Sequence, residues 1–235
     1  MAKANTAIAN IEAELKKEAE AISSKIGAPA KSLISTRDKI FTFPDGRIHQ
    51  GPLDVVILDF VSRNLFYEGR WDPKKIEAPA CFAIGDNPAF LAPSPNSPKK
   101  QVTGSSDAPL DGDGCSSCPL NEYGSAGAGK ACKNTRLLAV MLPEDAGEDA
   151  PIYTLSVPPT ALKTFDAYVG GLSSLLQKAP IQVVSKISFH PEKTYALPLF
   201  GDPRPNEKVG EFFSHRAEAR KLLEREPLAQ ADQAA

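Results

Sequence analysis

Apolar residues first recur at three- and four-residue intervals, then change to alternation and short continuous runs. In the opening stretch Ile8, Ile11, Leu15, Ile22 and Ile26 share one helical face with Ala19 between them, while Glu12, Lys16, Lys17 and Glu20 point away. This spacing predicts an amphipathic helix within residues 1–30, ended by Gly27 and Pro29. Its stripe is narrow, so the helix either docks on the main domain or pairs with a second copy to make a homo-oligomer.

From Lys31 the pattern is that of strands. Lys39 to Ile48 reads as a β-hairpin turned by Pro44-Asp45-Gly46. Leu53 to Phe60 is a buried strand, and Val61 to Trp71 continues it up to a turn at Glu68-Gly69. Arg136–Leu142 and Ile152–Val157 return to the sheet. Pro158-Pro159-Thr160 sets up a helix with Thr160 as N-cap, and Leu162, Phe165, Val169, Leu172 and Leu176 supply its apolar face. Ile181 to Phe189 alternates, and Thr194 to Phe200 answers it as a hairpin partner. A charged helix from Glu207 to Glu226 precedes a frayed tail, 227–235.

This order predicts a mainly β or α+β domain over residues 31–226: an OB-like antiparallel barrel with flanking helices and a zinc-binding insertion at about 79–135. An antiparallel sheet that never closes is the competing arrangement.

Composition narrows the class. Of the 235 residues, 42 % are hydrophobic and 24 % charged, which is a globular balance. The net charge of −2 argues against a strongly basic nucleic-acid binder but leaves room for a local basic groove. No apolar run is long enough for a secretory signal or a membrane span, so a soluble cytoplasmic protein with reduced thiols is expected. The 21 prolines gather between Trp71 and Pro119 and around Pro198–Pro205, where long ordered loops are expected.

Four cysteines carry the chemistry: Cys81, Cys115, Cys118 and Cys132. The Cys115-x2-Cys118 pair grips one tetrahedral ion from a single turn, and Cys132 follows after a glycine-rich loop. All-thiolate ligation predicts a closed, structural zinc site with no position open for catalysis. The loop gains little from burial, so metal ligation would be what orders it. Four free, buried cysteines are the plainer alternative. If Cys81 is only a core residue, His49, His190 or water must fill the fourth place. An iron–sulfur cluster would use the same thiolates.

Other motifs point away from catalysis. Gly124 to Ala131 nearly spells a phosphate-binding loop, but Ala131 replaces the magnesium-binding hydroxyl and neither a strand before nor a helix after is expected. His49, His190 and His215 lie far apart. Asp54 and Asp59, five residues apart on one strand, are expected on opposite faces and so form no carboxylate pair. No enzyme is expected. Basic residues do interleave with aromatics: Arg47 near Phe43, four cations around Trp71, and Lys130, Lys133 and Arg136 after Tyr123. Single-stranded nucleic acid needs that combination, with cations for phosphates and rings for bases.

Pro79-x-Cys81-Phe-Ala-Ile, Cys115-x2-Cys118-Pro-x-Asn121-x2-Gly124-Ser125, Gly129-Lys130-x-Cys132-Lys133-Asn134 and Leu155-Ser-Val-Pro-Pro-Thr160-x-Leu-Lys-x-Phe165-x2-Tyr168-Val169 together carry a resemblance. The stretch from about Pro79 to Phe200 resembles bacteriophage-encoded, zinc-containing single-stranded DNA-binding proteins with an OB-type core, most of them uncharacterised. The resemblance implies a non-catalytic role in phage DNA replication or recombination in the bacterial host cytoplasm. Arg47, Lys130, Lys133 and Arg136 would then meet phosphates, and Phe43, Trp71 and Tyr123 would stack on bases. The chain departs from such proteins at its end, where residues 227–235 hold one acid, Asp232, and no aromatic; recruitment of replication partners through that tail is not expected. The alternative reading is a zinc-stabilised adaptor that binds or inhibits a host nucleic-acid enzyme. A metal-dependent nuclease accessory would need carboxylates clustered in space.

Overall fold

The longest apolar run in the strand region organises the molecule. In the computed structural model, residues 32–69, 78–100, 114–147 and 149–227 are described; the helix expected within 1–30, Trp71 and the 228–235 tail lie outside them. Residues from Leu33 onward belong to one compact unit. Strands β1 (Ile40–Thr42) and β2 (Ile48–Gln50) form the expected hairpin, whose turn closes at Gly46 with φ +88°. Strand β3 then runs unbroken from Leu53 to Phe66. It is followed by β4 (Cys81–Gly85), β5 (Cys132–Met141) and β6 (Tyr153–Val157). Helix α1 (Leu162–Leu175), strands β7 (Val183–Phe189) and β8 (Pro198–Pro205), and helices α2 (Val209–Ser214) and α3 (Arg216–Leu223) complete the chain.

The large sheet has the order β6-β5-β3-β7-β8, with β4 also paired to β3, and every pairing is antiparallel. Along one edge β3 pairs with β5 from Val56 to Phe66; along the other it meets β7 at Leu53–Val55 and β4 at Ser62–Phe66. A near-continuous apolar strand is what burial on both faces requires. Leu53, Val55 and Ile57 enter a core with Leu138, Val140 and Leu155, whereas Val56 and Leu58 enter a second core with Leu137, Ala139 and Met141.

A bulge lies between Ile57 and Asp59, where one extra residue, Leu58, shifts the register with β5. Because side chains alternate with period two, that extra residue exchanges the faces for the rest of the strand. Phe60 therefore joins the first core and Val61 the second. The bulge also corrects the parity argument for Asp54 and Asp59. Cross-strand partners share a face, and Asp59 opposite Ala139 stands on the same face as Asp54, not the opposite one. They still do not pair: Asp54 bonds Arg204 at 2.5 Å, and Asp59 faces Arg220 at 3.8 Å and Arg216 at 4.0 Å.

Among the described residues no strand pairing joins β6 to β8, so the barrel is not closed by backbone hydrogen bonds. The Leu33–Ile34 backbone and aromatic side chains occupy the gap instead. Leu33 bridges Thr154 on the free edge of β6, with Ile34 N–H donating to Thr154 O at 2.8 Å. The β1–β2 hairpin sets Phe43 edge-on to Tyr153 of β6 and stacks Phe41 on Phe189 of β7. Helix α1 adds Phe165, which meets Phe60 at 5.2 Å and Phe200 of β8 at 5.0 Å.

Four boundary expectations need correction. Helix α1 starts at Leu162 after a 3₁₀ turn over Pro159–Ala161, and its N-cap is Ala161 rather than Thr160, because the paired prolines fix the preceding backbone as a tighter turn. Leu176 lies exposed beyond the helix instead of completing its apolar face. The C-terminal helix is broken at His215, whose Nε2 meets Gly147 O at 2.9 Å. The partner of β7 lies later than expected, since β8 accommodates Pro198, Pro203 and Pro205 as an edge strand.

Candidate metal centre

Beyond the core, β3, β4 and β5 continue as a three-stranded extension, and register alone places two cysteines. Phe66 stands opposite Cys81 on β4 and Cys132 on β5, so the two thiols flank one ring on the same face. One row along, on that face, Asn64 stands between Ala83 and Asn134. Strand spacing puts the Cα atoms of Cys81 and Cys132 roughly 10 Å apart.

The other two cysteines come from a short loop held against this extension. Gly114 adopts φ +125°, and a Cβ there would sit 3.0 Å from Leu91 O, so only glycine fits without adjustment. The Cys115 N–H donates to Leu91 O at 2.8 Å, and Ser117 Oγ donates to Gly114 O at 3.1 Å. Pro119–Asn121 forms a 3₁₀ turn in which Asn121 N–H donates to Cys118 O at 2.8 Å. All four cysteines are buried and line one small cavity together with Phe66 and Leu120. Even so, no three His, Cys, Asp or Glu side chains among the described residues are already gathered into a ready coordination shell.

Burial sets the electrostatics. It pushes the Cys115 thiol up to about 11 and the Cys132 thiol up to about 12, and the neighbouring cysteines add to both. Two groups oppose this: the Asn64 side-chain amide favours the Cys115 thiolate, and the Lys130 ammonium favours the Cys132 thiolate. Uncompensated thiolates are costly in such a pocket, whereas a divalent ion would offset their charge.

Asn64, Asn121 and Asn134 were not anticipated. Asn134 Nδ2 donates to Asn64 Oδ1 at 2.5 Å and to Asn121 Oδ1 at 2.9 Å, while Asn121 Nδ2 donates to Cys115 O at 2.7 Å. The available signal was compositional: asparagine is depleted in strands, yet Asn64 and Asn134 sit two residues from Phe66 and Cys132 within strand patterns. The histidines are engaged elsewhere. His49 Nε2 donates to Pro52 O at 2.8 Å and His190 Nδ1 accepts from Glu192 N at 3.3 Å; neither lines the cysteine cavity, whereas Cys81 does.

The loop resembling a phosphate cradle is closed on itself. Gly124 N–H and Ala126 N–H both donate to Gly129 O, Ala131 N–H donates to Ser125 Oγ at 2.9 Å, and strand β5 follows instead of a helix.

The expected nucleic-acid contacts divide. Phe43 is only 5 % exposed, and the Arg47 guanidinium lies over its ring at 4.9 Å. Arg47 also bonds Asp45 at 2.6 Å and Tyr153 Oη at 2.7 Å. Arg136 is 8 % exposed and paired with Asp166 at 3.1 Å. Phe43 and Arg136 are thus buried in the fold, whereas Arg47 stays exposed and is engaged in these surface contacts. Lys130 donates to Asn121 Oδ1 at 3.3 Å, Lys133 is exposed, and the Tyr123 ring is 79 % exposed. Those three share the cysteine loop and the start of β5. A second exposed ring, Tyr195, lies beside exposed Lys193 in the β7–β8 connection and was not anticipated. No helix among the described residues is long and apolar enough to cross a membrane. No family model, curated protein or solved structure matches this chain.

Proposed function

We propose that the four cysteines hold one structural zinc ion and that the protein binds single-stranded DNA without chemistry, in phage DNA replication or recombination. The observation that carries the DNA reading is connectivity. Strands β3, β5, β6, β7 and β8, with α1 between the third and fourth, follow the order of the five-stranded OB barrel, left open at one seam. In that architecture the first–second and fourth–fifth connections are used to hold oligonucleotides. Here each carries an exposed tyrosine: Tyr123 in the first, with exposed Lys133 at the start of β5, and Tyr195 in the second, two residues after exposed Lys193. The outward face of β3 and β5 is not available as a platform, because Phe212, Ala219 and Leu223 of α2 and α3 bury it.

The donor set fits zinc. Four buried thiols line one cavity, and among the described residues lining it no other side chain is titratable. The reading requires the sulfurs to draw inward on the ion, which would supply structural cross-linking of the loop to the sheet. The test is fluorescence anisotropy with labelled oligothymidine and a matched duplex, using zinc-loaded protein at low and moderate salt. Preference for the single strand, weakened by Tyr123→Ala and Tyr195→Ala, is expected; equal affinity for both strand states would overturn it.

A zinc-stabilised protein adaptor is the second reading. It is favoured by one observation, the adjacent Leu175 and Leu176 at the end of α1, with Leu175 83 % exposed. Loaded protein that binds neither form of DNA would move the assignment there.

A further inference from the structure

The loop that presents Tyr123 is hydrogen-bonded on either side of that residue. Two positions before it stands Asn121, whose N–H donates to Cys118 O at 2.8 Å and whose Nδ2 donates to Cys115 O at 2.7 Å. Asn121 Oδ1 accepts from Lys130 Nζ at 3.3 Å and from Asn134 Nδ2 of β5 at 2.9 Å. Lysine has donors only, so the Asn121 amide can take no other orientation. Two positions after Tyr123 stands Ser125, whose Oγ accepts from Ala131 N–H at 2.9 Å. Its single proton faces Glu122 O at 2.7 Å and Leu120 O at 3.0 Å. Between the two, Gly124 turns at φ +97°, and its N–H donates to Gly129 O at 3.0 Å. Asn121 thus fastens the loop to the sheet and Ser125 closes it, while the Tyr123 ring stays 79 % exposed. A ring held outside the core on backbone fixed at both sides has already given up freedom that binding would otherwise remove.

We propose that Asn121 and Ser125 are positioning residues that hold Tyr123 as a preformed platform for one base of a single strand. The inference rests on the single-strand reading above, and none of these hydrogen bonds involves a sulfur. Stacking needs a ring that is exposed and correctly aimed, and the two residues supply the aim without touching the base. The Tyr195 connection is built differently. His190 N–H donates to Leu197 O at 2.9 Å across its ends, and Lys39 Nζ donates to Pro191 O at 3.1 Å. The two rings share none of these bonds, so they should respond to substitution independently.

The experiment is a double-mutant cycle on the full-length protein, read by fluorescence anisotropy with labelled oligothymidine. Tyr123→Ala should weaken binding about 5- to 150-fold, the loss of one stacked base. Ser125→Ala removes bonds that all lie within the loop and should weaken binding about 2- to 10-fold. Ser125→Thr keeps the hydroxyl and should bind as wild type does, whereas Asn121→Ala should lose affinity in the same direction as Ser125→Ala. The cycle decides the route: Ser125→Ala should add nothing once Tyr123 is alanine, yet should multiply with Tyr195→Ala. A Ser125→Ala loss that persists in full without the Tyr123 ring overturns the positioning role, as does wild-type affinity in both Ser125→Ala and Asn121→Ala. Unchanged affinity in Tyr123→Ala, with Tyr195→Ala still weakened, overturns the platform and leaves the single-strand reading standing. Wild-type protein with equal affinity for oligothymidine and a matched duplex removes both.

Discussion

At the scale of single residues, Gly114 and the two buried thiols make the sharpest demands. Gly114→Ala must accommodate both a positive φ and a Cβ 3.0 Å from a backbone oxygen that cannot swing aside. A cost of about 1–3 kcal/mol is expected in denaturant unfolding, with weaker metal retention because Cys115 is the next residue. The thiols give a pH signature. In metal-free protein Cys115 and Cys132 hold their protons up to about 11 and about 12, above the ordinary value of 9.0. Between those values the folded state binds more protons than the unfolded one, so stability falls as pH rises past about 9. Thermal unfolding at stepped pH should show that loss in the metal-free protein and a smaller one after zinc loading. The cysteines were legible because type and spacing announce them. The asparagines were not, because a strand amide shows its purpose only when register sets it beside a sulfur. Phe43 misled for a related reason: aromatic next to arginine reads the same for a stacking platform as for a buried ring under its own guanidinium.

Elements were legible where hydrophobic periodicity was long. β3, β5, β6, β7 and the hairpin fall where alternation and apolar runs predict them, with ends displaced by a few residues. Apart from the N-cap, which neighbouring prolines moved, three misses share one cause, a partner distant in sequence. The bulge at Leu58 is set by pairing with β5, the prolines of β8 are tolerated because it is an edge, and His215 breaks the last helix where its ring reaches Gly147. Two substitutions separate what holds the C-terminal helices. Phe212 is 1 % exposed in the second core, so Phe212→Ala should cost about 3–5 kcal/mol. Arg220 bonds Asp86 and Glu224 at the surface, and Arg220→Met should cost under about 1 kcal/mol despite the number of its ion pairs. Urea unfolding of the two variants decides between apolar and ionic anchoring; an Arg220 effect matching that of Phe212 would reverse the assignment.

For the whole molecule, topology and charge act together. The strand order leaves β6 and β8 unpaired, and the seam is filled by rings from the hairpin and α1. That arrangement could not be read from the chain, since an antiparallel order predicts neighbours but not whether the last edge meets the first. Charge predicts how DNA would be held. The net charge is −2, and of the cations expected at phosphates Arg136 is buried against Asp166 and Arg47 is paired with Asp45. If Lys133, Lys193 and one further cation each neutralise a phosphate, the logarithmic salt slope should be no steeper than about −2. Titrations at several salt concentrations measure it, and a slope near −6 would require cations beyond those of the two tyrosine-bearing connections.

The extra residue in β3 has a consequence for how this chain tolerates change. Substitutions along the strand alter one contact each, but a one-residue insertion between Asp59 and Arg63 would alter the phase of everything after it. Arg63 and Leu65 would be presented to the sulfurs in place of Asn64 and Phe66, or the strand would slip against both neighbours. Sequence length, more than side-chain identity, is therefore what this segment must conserve, and variants lengthened by one residue there should lose cobalt binding even where every cysteine is kept.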